Sequence, residues 1–548
     1  MLRIWAKFYQ ERRIVDSVEL PNKVLPWFLK NNSWKYPNKP AIVFYGKRIT
    51  FKELDELAGR FAAALEGSGI KKGDRVGIFL QNSPQFIISY FSALRLGAIL
   101  VAMNPMCKEI ELEYELNNSG TKVLVTDDQL YPVVRNIRDK TKLEKVIVTS
   151  YQDYLSNDLT LPVPASFKLE KKTYQNTHNF KDFLNAYEPI SKLAEVDLED
   201  IALIQYTSGT TGQPKGAVIN HSNIMANLIA TTKLLAMTDK DINLAVLPLF
   251  HVSGMMNSMN LPLYLGNTII LIGRFDIETV LKAIERYKAT MTLLIVTANL
   301  AIIDYPEINK YDLSSLRYTL SGGDTVPANV ARRWEEITGH KLIEGYGLSE
   351  TISPTHINLP DRPKYGSFGI PIPGTDAKVV DLETGTKELP VGEAGELIVK
   401  GPQIMKGYWN NSEATKEALR DGWLYTGDIA RMDDEGYFYF VARKKDMIKC
   451  SGYSVFPAEI ESIIYKHPAI KEVAVIGVPD PYRGESPKAF ITFKPGYKGK
   501  VTEEEIIDWC KKNMAAYKYP RKVEFVEALP KSASGKVLKR VLGEREKG

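Results

Sequence analysis

The sequence predicts an α/β protein with a large N-terminal domain of α/β sheets, a β-rich subdomain, and a small C-terminal α/β domain. Three observations predict this. Short apolar runs alternate with amphipathic stretches over roughly the first 350 residues, which implies a largely parallel sheet covered on both faces. From about Gly366 the pattern changes to short strands and Gly/Pro turns. The length of 548 residues also exceeds what one ordinary core organises.

In order, residues 39–45 (KPAIVFY) read as a strand, Gly46 and Lys47 as a turn, and 51–65 as an amphipathic helix. A strand at 75–80 precedes a helix at 83–96, whose start is marked by Ser-Pro. Then come a strand at 98–104, a helix at 109–118 and a strand at 122–126. Residues 150–195 are polar with little period and read as an irregular connection. A buried strand at 201–206, a loop, a further apolar run and a helix at 221–235 follow. Strands are expected at 243–248, 268–272, 291–296, 317–320 and 341–344, several ending in polar or glycine-rich turns. Ligands gather at the carboxyl ends of strands in such sheets. The last hundred residues read as helix 458–466, strands 473–478 and 489–493, and helix 502–514.

Hydrophobic content of 44% and charged content of 25% are those of a globular protein. A net charge of +5 argues against a dedicated nucleic-acid binder. Cys107, Cys450 and Cys510 lie far apart with no CxxC, so a reducing cytoplasmic setting is expected. The first residues, MLRIWAKFYQERR, are too charged for a signal peptide. The apolar stretch 86–103 contains Arg95 and two serines, and reads as core rather than a membrane span.

The chemistry centres on 206–216, YTSGTTGQPKG. Glycines let main-chain N–H groups approach an anion, hydroxyls donate to phosphate oxygens, and Lys215 adds positive charge. Lys215 stands behind Pro214 and before Gly216, which is not the Walker A order. Further motifs are YGLSET at 346–351, GWLYTGD at 422–428, the charged run Arg443, Lys444, Lys445, Asp446, and PKSASGK at 530–536. Read alone, Ser349 also fits a helix N-cap, and so does Asp324 ahead of Pro327.

The loop resembles the signature of the adenylate-forming enzymes, which include acyl-CoA synthetases, luciferases and peptide-synthetase adenylation domains. The other motifs stand in the family's order, and the resemblance runs from about Asn38 to Lys539. It implies an acyl-CoA synthetase-like fold and an AMP-forming acyl-CoA ligase similar to the short- and medium-chain enzymes. By that resemblance, Thr207, Ser208, Gly209, Thr210, Thr211, Gly212 and Lys215 hold the ATP phosphates. Glu344, Gly345, Tyr346 and Gly347 contact the nucleotide, with Tyr346 stacked on adenine. Ser349, where the family usually has Thr, meets the α-phosphate, and Glu350 holds Mg²⁺. Asp428 accepts both ribose hydroxyls, Arg443 reaches ribose or phosphate, and Lys536 is the catalytic lysine.

The resemblance further implies CoA contacts at Ser451, Gly452, Arg483 and Tyr519. It implies an acyl pocket at His251, Met255, Gly322, Gly323, Asp324 and Gly347, with His251 as a gate. Acetate-restricted relatives carry tryptophan at the position of Gly347, which suggests a deeper pocket here. Asp324 replaces a usual alanine and suggests a polar or hydroxylated acid. The implied domains are 1–442, with a β-rich subdomain at about 366–441, a hinge at 443–446 centred on Lys445, and a mobile lid at 447–548. Expected partners are ATP, Mg²⁺, CoA and a short- to medium-chain carboxylic acid, with no nucleic acid, no transmembrane segment and a homo-oligomer as an option. The alternatives are loading of a separate carrier protein, an aryl-acid CoA ligase, or a non-catalytic nucleotide-binding regulator.

Overall fold

A computed structural model describes residues 3–207, 213–450, 453–531 and 537–546. The chain divides into two compact units, Met1–Asp376 with Val399–Leu424, and Ala377–Ile398 with Tyr425–Gly548. The mixed α/β architecture is the expected one.

The first unit holds two large sheets. Among the described residues one has eight strands. Its parallel part runs through Ile201–Thr207, Ile99–Ala102, Arg75–Phe79, Val123–Asp127, Lys145–Thr149 and His178–Asn179. Lys215–Asn220 and then Gly407–Tyr408 extend it with antiparallel pairing. The other sheet has nine strands among the described residues. Pro40–Phe44, Thr268–Leu271, Ile242–Ala245, Met291–Leu294, Tyr318–Ser321 and Lys341–Leu348 lie parallel in it. Ser353–Ile357 folds back on the last of these as a hairpin.

Local chemistry sets the helix starts. Phe51–Gly67 begins at a capping box in which Thr50 and Glu53 satisfy each other's backbone N–H groups. Pro84–Arg95 starts where the Ser83 hydroxyl accepts from the Phe86 N–H, and it is buried along its whole length. That burial explains its largely apolar character, and Arg95 within it pairs with Asp55. No helix among the described residues is long and apolar enough to cross a membrane.

Three local expectations change. Lys47 is not a turn residue: Lys47–Thr50 is a strand whose KRIT sequence hides its period, because it sits at the sheet edge with two exposed cations. The irregular stretch 150–195 contains a short helix, Phe180–Asn185, capped by Asn179 and packed through Phe180 on Phe61. The strand expected at 341–344 continues to Leu348, because hairpin pairing with Ser353–Ile357 holds GYGL extended.

Beneath the 201–220 hairpin lies an apolar cluster that includes Phe79, Val101, Leu116, Ile204 and Tyr206. Glu115, on helix Glu109–Ser119, is buried nearby, and its Oε2 has no partner among the described residues. Burial, and then the neighbouring Glu111, push its carboxyl up to about 8. Cys107 and Tyr206 face the same group and are themselves pushed up, first by burial and then by Glu115. A carboxyl raised on folding stabilises the fold fully below its unfolded pKa and loses that contribution as pH rises through the folded value. Glu115→Gln is therefore expected to raise the thermal midpoint relative to the parent above pH about 8. The advantage should vanish below about pH 5. Melting curves with a pH-independent difference would contradict this.

The second unit has its own core. Towards the C-terminus, strands Ile448–Cys450, Gly484–Phe493, Ile470–Asp480 and Lys522–Phe525 form one of its sheets with Tyr453–Val455. Helices Pro457–Ile464 and Glu503–Asn513 supply Ile460, Ile464, Ile506 and Cys510 to the apolar cluster.

Candidate active site

The two ends of the motif at 206–216 lie on paired antiparallel strands, Ile201–Thr207 and Lys215–Asn220. Tyr206 pairs with Gly216 and Thr207 with Lys215. A Cβ on Gly216 would stand 2.7 Å from the Ile204 Cγ2, so the strand needs glycine there. Tyr206 donates to the Asn118 Oδ1 at 2.6 Å, and the Thr207 hydroxyl donates to the Lys215 carbonyl at 3.4 Å. Ser208, Gly209, Thr210, Thr211 and Gly212 lie outside the described residues. Lys215 opens the second strand, and its Nζ stands 5.3 Å from the centroid of the Tyr408 ring.

The motif at 346–351 occupies the second hairpin. Tyr346 pairs with His356 and Gly347 with Pro354, with a register shift between them. The chain then makes a short turn, Ser349–Thr351, whose N-cap is Leu348, so Ser349 is not the capping residue. The Thr351 hydroxyl accepts from the Leu348 N–H and donates to the Ser353 carbonyl, tying the turn closed. Within it, Glu350 accepts a hydrogen bond from the Tyr408 hydroxyl at 2.7 Å, and its carbonyl accepts from the Met405 N–H at 2.8 Å. The Tyr346 ring leans on Phe368 at 4.6 Å and on His356 at 5.9 Å. Burial drives the His356 imidazole down to about 3, which keeps this packing partner neutral.

Helix His221–Leu235 fixes both sides of Glu350. Asn223 donates to the Pro402 and Ile404 carbonyls at 2.7 and 2.9 Å. One face-turn along, Asn227 donates to the Pro354 carbonyl at 3.0 Å. The asparagines fall on one face because their spacing matches the helical repeat.

The carboxyl ends of the parallel strands meet here. Glu344 sits opposite Ser321, and a Cβ on Gly322 would lie 3.1 Å from the Gly345 carbonyl. Glu344 is buried with an unpartnered Oε2 among the described residues. Its carboxyl is pushed well above the ordinary value by burial and then by Asp324. Gly323 adopts φ +87°. Asp324 is exposed and accepts from the Thr325 N–H, while Pro327 takes the N-cap position of helix Ala328–Thr338. Asp324 is therefore not the cap: it stands too far ahead of the helix. The His251 Nδ1 accepts from the Ser253 N–H at 3.3 Å, and a π-helical turn, Met255–Asn260, follows with Met255 fully buried. Asn257 of that turn donates to the Ser353 hydroxyl at 2.9 Å, joining it to the Glu350 hairpin.

A Cβ on Gly347 would lie 2.3 Å from the Ser353 carbonyl oxygen and 2.9 Å from the Pro354 Cα. Backbone atoms cannot rotate away, so Gly347→Ala is expected to destabilise by about 1–3 kcal/mol. Denaturant unfolding of the variant would measure this.

In the second unit, Asp428 is fully buried and stands opposite Arg443 on the neighbouring strand, its carboxylate in an ion pair with the guanidinium, Oδ1 to Nε 2.9 Å. Lys444 pairs at 2.7 Å with Glu396, which also accepts from the Gly427 N–H at 3.3 Å. Burial lowers the Lys445 ammonium, and Arg443 adds to the effect. Arg483 and Tyr519 lie in the small α/β part of this unit. The Arg521 guanidinium stacks 3.5 Å from the Tyr519 ring centroid, and its pKa is lowered by burial and then by Arg483. Ser451, Gly452 and Lys536 lie outside the described residues.

Sequence reasoning missed Tyr408, Phe368, Asn223 and Asn227. The asparagine spacing on a helix was a visible signal; Tyr408 sits in a two-residue strand with no period to reveal it.

Residues 29–409 match the AMP-binding enzyme family, and residues 459–536 match the AMP-binding enzyme C-terminal domain. The chain belongs to the AMP-binding enzyme family. Within it, this is an AMP-forming acyl-CoA synthetase of the adenylate-forming superfamily, an acid–thiol ligase. A long-chain-fatty-acid–CoA ligase of Bacillus subtilis is 41% identical over 97% of this chain and 96% of its own. A feruloyl-CoA synthase of an Amycolatopsis species is 35% identical over 92% of this chain and 95% of its own. Among solved structures, an anthranilate CoA ligase in complex with anthranoyl-AMP superposes with a TM-score of 0.87 at 31% identity. That match covers 97% of this AMP-binding enzyme and 98% of the other chain.

Proposed function

We propose that this acyl-CoA synthetase activates a flexible fatty acid of medium to long chain. The sequence expectation of a short- to medium-chain acid overlaps this range only in its middle. One observation carries the reading. The segment assigned by resemblance to the acyl group, starting at His251, runs into a buried turn holding Met255, Met256 and Met259. Thioether side chains adapt to a flexible alkyl chain. The name of the Bacillus subtilis relative supports the same class.

The proposed reaction has two steps. A carboxylate oxygen of the acid attacks the α-phosphorus of ATP, the bond to the β-phosphate oxygen breaks, and pyrophosphate leaves. The CoA thiolate then attacks the acyl carbonyl, its proton having gone to solvent, and AMP leaves with the bonding electrons. Lys215 and the hydroxyls of Thr207, Ser208, Thr210 and Thr211 hold phosphate oxygens, Tyr346 offers its ring to adenine, and Ser349 meets the α-phosphate. Asp428 accepts from the ribose hydroxyls, and Arg443 supports it. Lys536 supplies positive charge where charge develops.

Mg²⁺ fits this donor set. Mg²⁺ is usually held by one or two carboxylates plus substrate phosphates, and the Glu350 carboxylate stands on the tyrosine that also faces Lys215. Glu350 would hold it, and the ion would neutralise phosphate charge. The domain 447–548 is proposed to pivot at 443–446, with Lys445 in the pivot and Arg483 and Tyr519 toward CoA. A cytoplasmic setting suits Cys107, Cys450 and Cys510, which are all free thiols.

A second reading is an aryl acid, favoured by the names of the feruloyl and anthranilate relatives. A panel of alkyl acids of rising length, hydroxylated acids, benzoates and cinnamates, assayed for CoA-dependent AMP formation, separates them. The highest kcat/KM is expected for an unbranched alkyl acid. A benzoate or cinnamate optimum would overturn the proposal, and thioester formed only on a carrier protein would overturn the CoA assignment.

A further inference from the structure

We propose that Tyr408 is a positioning residue that sets Glu350 and Lys215 in one fixed arrangement for the metal-bound phosphates of ATP. This rests on reading Glu350 as the metal carboxylate and Lys215 as a phosphate cation.

The two charged groups come from different hairpins, 135 positions apart in sequence by their numbers, 350 less 215. Tyr408 touches both. Its hydroxyl donates to the Glu350 Oε1 at 2.7 Å, and its ring face lies 5.3 Å from the Lys215 Nζ. The first contact orients the carboxylate while occupying one of its two oxygens; the second holds an ammonium over a ring face.

Tyr408 itself has little freedom. Its Cα pairs with Ala217 in the sheet, and the Trp409 N–H donates to the Gly216 carbonyl at 2.7 Å. Its own N–H donates to the Thr415 hydroxyl at 2.8 Å. The preceding Gly407 has φ +144°, and a Cβ there would lie 2.7 Å from the Thr415 Cγ2. The strand that begins at Lys215 is therefore the one that fixes the tyrosine holding Glu350. Long lysine and glutamate side chains lose much rotamer freedom when ordered. Holding both in the free enzyme removes that loss from the binding step.

Mn²⁺, which reports by electron paramagnetic resonance, can be titrated into the protein saturated with a non-hydrolysable ATP analogue. Tyr408→Phe retains the ring and removes only the hydroxyl. It is expected to weaken Mn²⁺ binding about 10-fold, the loss typical of a hydrogen bond to a charged group, without moving the thermal midpoint. In a Glu350→Gln background the same substitution should have no further effect. Tyr408→His, which keeps a ring donor, should bind Mn²⁺ more tightly than Tyr408→Leu, a comparison that stands even if Tyr408→Phe folds poorly. If Glu350→Gln weakens Mn²⁺ binding and Tyr408→Phe does not, or if their effects add, the positioning role is overturned while the metal reading stands. If Glu350→Gln leaves Mn²⁺ binding unchanged, the metal reading falls and the role falls with it.

Discussion

Lys536→Ala is expected to slow acyl-adenylate formation by about 10²–10³-fold, the loss typical of removing one preorganised donor from developing charge. The same variant should still convert supplied acyl-AMP and CoA to the thioester. The asymmetry follows from electrostatics. In the first step a carboxylate approaches a polyphosphate, so negative groups crowd together and need a cation between them. In the second a thiol sulfur attacks a carbonyl already activated by AMP, and the crowding has gone with the pyrophosphate. Two assays on one preparation check it: pyrophosphate release from ATP and acid, and thioester formation from acyl-AMP. Equal losses in both would remove Lys536 from its assigned role.

Asp428→Asn is expected to raise the KM for ATP by about 10- to 100-fold, which is 1.4 to 2.7 kcal/mol, within the range for hydrogen bonds to a charged group. The carboxylate is buried and held in place by the Arg443 guanidinium at 2.9 Å. An ionised carboxylate accepts on both oxygens, which suits a pair of ribose hydroxyls. Asparagine keeps the shape but turns one acceptor into a donor, opposing one hydroxyl and leaving the Arg443 guanidinium without its negative partner. A 2′,3′-dideoxy ATP analogue separates recognition from folding. Against it, parent and variant should have similar KM values. A variant equally impaired with both nucleotides would make Asp428 a structural partner of Arg443 only.

Much of the fold was legible because buried strands and amphipathic helices leave strong periods. The runs at 75–80 and 201–206 and the helix at 221–235 were read almost to the residue. Where burial is one-sided or pairing is short, the signal fades. Lys47–Thr50 is an edge strand with exposed cations, and Gly407–Tyr408 is two residues long. Candidates were nameable from the sequence where composition itself is chemical, as for Lys215 and Glu350. Tyr408 was not, because its meaning lies in a contact with a residue 58 positions away. Gly347 shows a third case. A sequence reads it as missing bulk, while the hairpin shows main-chain atoms of Ser353 and Pro354 crowding the place a Cβ would take.

The two asparagines on helix His221–Leu235 carry a practical consequence for redesign. Each one donates its amide N–H to main-chain oxygens of the facing segment, Asn223 on the 402–404 segment and Asn227 on Pro354. A chimera that imports a foreign 346–357 segment to retune acid choice therefore inherits this grip whatever residues it brings. One that replaces the helix instead discards the grip even when every catalytic letter is retained.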